Sequence, residues 1–428
     1  PMTSKPVSSE LTQAPSFASR LFSSVNKKRL KIGLCLILCA LLLVACVYIE
    51  IQTSLLQSWF FTRTNEQLSY ELTNGRSTAI AFPRSAPFDD RRGYSKLPAF
   101  QSRLEAQGYQ VAQQARQSEK MVQLIKRGIS PPYMEPPETG LDIRGANGAS
   151  LFRHAQSEFL FAKMDDIPPL LVKTLLFLEN RDLDHPASPC QNPAVEWDRL
   201  FKAAVFYIAS KLYIEVPVQG GSTLAVQLEK FRHSPNGRTE SPVEKYRQLV
   251  GASLKAYREG WTTRAWRERI IVDYFNTVPL AAAPSYGEIH GLGEGLFAWF
   301  GMQLTDVVSA LKAPGLTPAK VRAFKHALAL LISVRAPSVF LVDERASLEE
   351  KVDQFTRLMA RSGIIDGDFA AALQETPIKF IPAAPLPPQP SSGKNKAANA
   401  IRTTMMESLG TNNVYDLNRF HLEVQSTI

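Results

Sequence analysis

One stretch constrains this chain before any other. Ile32 to Ile51 reads IGLCLILCALLLVACVYIEI, twenty residues with a single charge, Glu50, near the far end. A helix rises about 1.5 Å per residue, so a run of this length matches the roughly 30 Å of a bilayer's hydrocarbon layer. Lys27, Lys28, Arg29 and Lys31 stand just before it. Positive flanks stay on the cytoplasmic side, which puts the N-terminus inside and the bulk of the chain outside. The run is long for a cleaved signal peptide and carries no A-x-A site. Leu43-Val44-Ala45-Cys46 has the form of a lipobox, so lipid attachment at Cys46 stays open beside an uncleaved anchor. Apolar residues that continue past Cys46 favour the anchor.

The remainder has the makings of a packed core. Hydrophobic residues are 45% of the 428 and charged residues 21%, which excludes wholesale disorder and leaves room for two or three domains. Lys and Arg number 49 against 40 Asp and Glu, and a net charge of +9 suits an anionic partner. No basic motif interleaved with aromatics occurs, so nucleic acid is not expected. Cys35, Cys39 and Cys46 lie in the apolar run and only Cys190 lies outside it. That excludes a disulfide framework and a zinc site.

Composition divides the chain along its length. Residues 1–31 read as a Ser-rich cytoplasmic tail, and 32–51 as the transmembrane helix. Residues 52–138 read as a polar stalk or accessory region, with a helical stretch around Arg103–Lys126. The strongest helical periodicity lies in 139–380. Residues 381–400 form a Pro/Ser linker, and 401–428 read as the start of a further segment, closing on the strand-like alternation of Leu422 to Ile428.

Within 139–380, Asp166-Ile167-Pro168-Pro169 starts a helix whose Leu171, Leu175 and Leu178 share one face. Glu179 ends it, and a carboxylate beside that much apolar surface suits a general base; the bland alternative is a surface Glu paired with Arg181. Gln219 to Lys230 reads QGGSTLAVQLEK. Gly220 and Gly221 let backbone approach a ligand, and Ser222 or Thr223 can cap a helix whose free N–H groups attract phosphate. Gln227 and Lys230, one turn apart, can reach the same anion; the alternative is an ordinary Gly-rich turn. Leu200 to Val218 is too short and too interrupted by Lys202 and Lys211 to span a bilayer. Leu200, Ala204, Ile208 and Leu212 nonetheless share a face, widened by Phe201, Val205 and Phe206. This suits a segment dipping into the membrane surface, or a buried core helix. Val243, Tyr246, Val250, Leu254 and Tyr257 mark a further amphipathic helix in a strongly basic stretch that includes Lys245 and Arg247.

Together and in order, these segments resemble the peptidoglycan glycosyltransferase domain, family 51, of penicillin-binding proteins and monofunctional transglycosylases. GGSTLAVQLEK is close to its GGST-x-x-Q-Q-x-x-K motif. KMDDIPPLLVKTLLFLENRDLDH resembles its E-D-x-x-F-x-x-H segment, Ile271 to Asn276 its I-L-E-x-Y-L-N helix, and HGLGEGLFAWFG its YGI-x-x-A-A-x-x-YFG segment. ISVRAPSVFLVDERASLEEKVDQFTRLMARSGIID resembles its closing helices. The resemblance implies a mostly α, lysozyme-like, two-lobed domain behind a single N-terminal transmembrane helix. It implies polymerisation of lipid II into glycan strands at the bacterial inner membrane, beside other cell-wall synthesis proteins. Glu179 takes the base role by position. Ser222, Thr223, Gln227, Lys230, Arg247, Gly220, Gly221 and His185 match the substrate side. Leu200, Phe201, Val205, Phe206, Ile208 and Leu212 fall where the family touches the membrane. A divalent cation, Mg or Mn, is compatible with such chemistry, with its ligands left open. No Lys-Thr-Gly occurs, so these residues carry no sign of a transpeptidase.

The chain also departs from the family pattern. Asn180 stands for Asp, Leu183 for Phe, Val226 for the first Gln of the pair, Phe231 for Asn, Gln248 for Lys and Pro279 for Tyr. Gly251 stands where the family has a second acid. A catalytically degenerate relative that binds lipid II or glycan as a scaffold therefore stays open beside the enzyme.

Overall fold

The computed structural model describes residues 17–136, 140–155, 157–179, 183–197, 201, 222–284, 286–385 and 396–427. Gly220, Gly221, Leu200, Val205, Phe206, Ile208 and Leu212 lie outside the described residues. The chain is mostly helical and falls into two compact units, Pro1–Ser54 and Leu55–Ile428.

The described part of the first unit is the helix α1 (Phe17–Thr53). Its stretch Arg29–Thr53 is long and apolar enough to cross a membrane. Leu34, Leu38, Leu41 and Leu42 are all exposed, so nothing among the described residues of the unit buries their apolar surface.

The second unit begins with α2 (Leu55–Asn65), followed by β1 (Tyr70–Asn74), α3 (Pro87–Arg91), α4 (Leu97–Ala106), β2 (Gln113–Gln117) and α5 (Glu119–Lys126). The single helical stretch expected around 103–126 is therefore two helices with a strand between them. Gly108, in the left-handed region at φ +88, turns the chain after α4, and β2 pairs antiparallel with β1. In 52–138, expected as a stalk or accessory region, the described residues from Leu55 pack within the second unit. Phe61 of α2 stacks on Tyr257, and Met121, Leu124 and Ile125 of α5 share a small core with Leu254.

β3 (Gly140–Arg144) and β4 (Ser150–Ala155) form a hairpin, and α6 (Pro169–Glu179) comes after it. The main body continues through α7 (Leu224–His233), α8 (Pro242–Ala256) and α9 (Arg264–Thr277). β5 (Pro279–Ala283) and β6 (Gly287–His290) pair antiparallel, and α10 (Gly291–Phe300), α11 (Leu304–Lys312) and α12 (Pro318–Ser333) complete the centre. α12 is buried along most of its length, and Phe324, Ala327, Leu328 and Leu330 are fully buried by the helices around it. α13 (Arg345–Arg361) and α14 (Gly367–Glu375) close the body. Gly293 lets α10 lie directly against the backbone of Phe159, where a Cβ has no room.

α15 (Lys396–Leu409), α16 (Val414–Arg419) and β7 (His421–Gln425) return to the hairpin. β7 adds parallel to β3, with Leu422 opposite Leu141 and Val424 opposite Ile143. A second core of Phe100, Leu141, Ile143, Phe152, Leu417 and Phe420 forms there. The stretch 401–428, expected as the start of a further segment, contributes β7 to a three-stranded sheet, order β4-β3-β7. The strand ends at Gln425, short of the alternation read to Ile428.

Candidate active site

Glu179 is the last residue of α6, where the helix leaves the core. Leu171 and Leu175 are fully buried beneath it, and its side chain keeps 11% exposure. Gln227 Nε2 donates to its Oε2 at 3.0 Å. Arg335 Nη2 donates to Oε1 at 3.3 Å and to the Leu178 carbonyl at 3.3 Å. Arg335 arrives from 156 residues along the chain, just after α12, and Pro337 stands two residues on, where the helix cannot continue.

α7 supplies the opposite wall. Thr223 is its N-cap: the buried hydroxyl accepts from the Val226 N–H at 3.3 Å. Thr223 is thereby consumed in starting the helix, whereas Ser222 faces the cleft and accepts from Lys245 Nζ at 2.8 Å. Gln227 and Lys230, three residues apart, share the cleft face of α7. Lys230 Nζ lies 4.3 Å from the centre of the Phe231 ring. Burial lowers the Lys230 pKa, and the nearby charge of Glu179 opposes that fall. Lys245 is pushed down to about 8, by burial first and then by the charge on Lys230. Behind Glu179, the Tyr274 hydroxyl is fully buried without a hydrogen-bond partner among the described residues, and burial followed by the Glu179 charge raises it well above its ordinary value.

The far end of the cleft is lined by Arg91, Arg232, Arg238 and His290, with Pro87 and Phe88 of α3 on the rim. Burial first, then Arg91 and Arg419, holds His290 well below its ordinary value, so it is neutral near pH 7. Arg91 lies 3.9 Å from the buried carboxylate of Glu294, whose other oxygen accepts from the His290 N–H at 2.8 Å. Ala281, on the cleft wall, takes φ +64 at the bulge of β5, a conformation that costs a residue with a Cβ about 1 kcal/mol. The whole cleft encloses 1110 Å³. Among its described lining residues Glu179 is the lone carboxylate, and five cationic side chains share the lining, Arg91, Lys230, Arg232, Arg238 and Arg335, of which Arg91 lies by Glu294 and Arg232 pairs with Asp273 and Glu135.

A cleft with one carboxylate at its centre and cations around it fits transfer of a group that leaves as an anion. The family model described as Transglycosylase matches residues 147–360, half of the chain, and spans every element that carries Glu179, Gln227, Lys230 and Arg335. The chain belongs to the transglycosylase family. No curated protein matches it. The transglycosylase match starts after α3, so Pro87, Phe88 and Arg91 bring to the cleft a wall from outside the matched residues.

Of the residues singled out in the sequence, the structure brings Glu179, Ser222, Gln227 and Lys230 to the transglycosylase cleft. Thr223 is its buried cap. Arg247 does not line it: its Nη1 donates to Glu244 at 3.2 Å and its Nε to the Arg127 carbonyl at 2.8 Å. His185 stands away from it, 85% exposed beside Asp184. Phe201 is 72% exposed.

α8 carries Arg247 away from the cleft. Of its expected apolar face, Val243 and Tyr246 are exposed, Val250 is partly buried, and Leu254 and Tyr257 are buried; Glu244, Gln248, Gly251 and Lys255 are buried beside them. The polar groups of the helix enter the interior because neighbours satisfy them. Gln248 Nε2, for example, donates to Ser234 at 2.9 Å. This packing brings Lys245 to Ser222 and turns Arg247 away. Sequence reasoning missed Arg335, Arg91 and His290 as lining residues of the cleft, and Lys245 as the partner of Ser222. Lys245 and Arg335 had a signal, being cations inside matched segments. Arg91 had none, since α3 precedes them.

Proposed function

We propose that this chain is a membrane-anchored peptidoglycan glycosyltransferase that joins lipid II into glycan strands. The observation that carries this reading is Glu179, held by Gln227 and Arg335 at the centre of a cationic cleft in a transglycosylase domain. Glu179 takes the proton from the acceptor sugar's 4-hydroxyl. That oxygen bonds to the donor's anomeric carbon from the face opposite the pyrophosphate, and the carbon–oxygen bond to the lipid pyrophosphate breaks with inversion. Lys230, on the cleft, receives the leaving charge, and Lys245, bonded to the cleft residue Ser222, adds to it. α1 anchors the chain in the bacterial cytoplasmic membrane with the domain on the outer face, as the cations from Lys27 to Lys31 favour.

The described residues do not fit a divalent cation. Glu179 is the lone carboxylate on the cleft, and it already serves Arg335 and Gln227, whereas such ions want several oxygen ligands. Charge stabilisation in this reading is left to Lys and Arg.

Gly251, which brings no acid, favours the second reading of a lipid II-binding scaffold. One experiment separates the two: polymerisation of labelled lipid II by the purified protein in detergent, with Glu179→Gln beside it. Active wild type and a variant slowed by about two to four orders of magnitude support the enzyme. Equal inactivity with retained substrate binding supports the scaffold.

A further inference from the structure

The chain lacks an acid at 251 but has an unexpected one at 229. Glu229 precedes Lys230 on α7 and points the other way, into the protein, at 4% exposure. Its Oε1 lies 2.6 Å from Lys255 Nζ, and its Oε2 accepts from the Ser130 hydroxyl. Lys255 and Gly251 are one turn apart on α8, and both face this carboxylate. A Cβ built on Gly251 would lie 2.7 Å from Glu229 Oε2 and 2.8 Å from Ser130 Oγ. The carboxylate on α7 and the missing side chain on α8 therefore claim the same space.

The cluster runs on. Lys255 Nζ is 2.9 Å from His233 Nε2, and His233 Nδ1 is 3.0 Å from Asp89 of α3. With the ring proton on Nδ1, His233 donates to Asp89 and accepts from Lys255. Glu229 and His233 lie on the inner face of α7, and Gln227 and Lys230 on the cleft face. Fixing the first pair fixes the rotation of the second.

We infer that Glu229 is a positioning residue for the site: it supplies from α7 the carboxylate that position 251 lacks, and through Lys255 and Ser130 it holds α7 so that Gln227 and Lys230 meet Glu179. The inference rests on the glycosyltransferase reading, and the requirement is for a carboxylate at this place rather than on a particular helix.

The test uses the full-length protein in detergent. Glu229→Gln should fold and lose on the order of tenfold to a hundredfold in kcat with KM for lipid II changed by less than about twofold, since misplaced groups slow the chemistry. The exchange Glu229→Ala with Gly251→Glu returns a carboxylate beside Ser130 and one turn from Lys255, and should recover kcat to within about fivefold of wild type. A merely structural Glu229 would leave kcat per folded molecule unchanged in Glu229→Gln. Wild-type kcat there, or a folded exchange variant as slow as Glu229→Ala, overturns the inference. If the charged variants fail to fold, Glu229→Met with Lys255→Met removes both charges at once. Slow turnover in that folded protein supports the inference and wild-type turnover overturns it. Wild-type activity decides the functional reading separately. Should wild type be inactive, binding of inorganic pyrophosphate becomes the readout, with roughly tenfold weakening in Glu229→Gln and recovery in the exchange expected, and equal affinities overturning the inference.

Discussion

Lys245→Met should make the protein more stable and a poorer catalyst. In the folded chain the Lys245 ammonium sits at about 8 against an ordinary 10.5, a difference of about 3 kcal/mol against keeping it charged. Its hydrogen bond to Ser222 returns about 1 kcal/mol. Methionine fills similar space without the charge, so the variant should gain about 2 kcal/mol near pH 7. The gap shrinks in alkali. Between about 8 and 10.5 the folded wild type has released the proton and the unfolded chain has not, so wild-type stability rises with pH across that window and the variant's does not. Urea unfolding near neutral pH and again near pH 10 measures both quantities. In the proposed reaction, lipid II turnover should fall at least about tenfold, because the leaving pyrophosphate would lose a nearby cation. A variant less stable than wild type near neutral pH, or a gap that stays constant as pH rises, would refute the argument that burial burdens this lysine.

Arg247→Gln, by contrast, should cost about 1 kcal/mol by releasing Glu244 and the Arg127 carbonyl, while turnover falls less than threefold; a loss as large as that of Lys245→Met would return Arg247 to the cleft. Gly293→Ala should cost about 3 kcal/mol or more, seen as a large drop in thermal midpoint, because the new methyl meets the Phe159 backbone rather than a movable side chain. Lys325→Ala should cost about 3 kcal/mol, since this fully buried lysine pairs with Asp353 at 2.7 Å and donates to the Leu373 carbonyl at 2.9 Å; a loss under about 1 kcal/mol in urea would show the pair to be dispensable.

The sequence by itself determined the local elements and part of the site. The apolar run gave α1, the spacing of Leu171 and Leu175 gave α6 with Glu179 at its end, and Thr223 capped α7 as its type allows. These features depend on neighbours within a turn or two, so chain spacing reports them. Gln227 and Lys230 share a face for the same reason. Only the tertiary structure decided which face of α8 goes inward. Apolar spacing puts Val243 and Tyr246 on one face with Leu254 and Tyr257, yet only the latter two are buried, while Glu229 and Ser234 offer partners to Lys255 and Gln248, and satisfied hydrogen bonds let that polar stripe enter the core as well. It also decided that Arg335 clamps Glu179, that α3 walls the cleft, and that β7 pairs with β3. Each of these joins groups more than a hundred residues apart, and no periodicity in a chain carries the identity of so distant a partner.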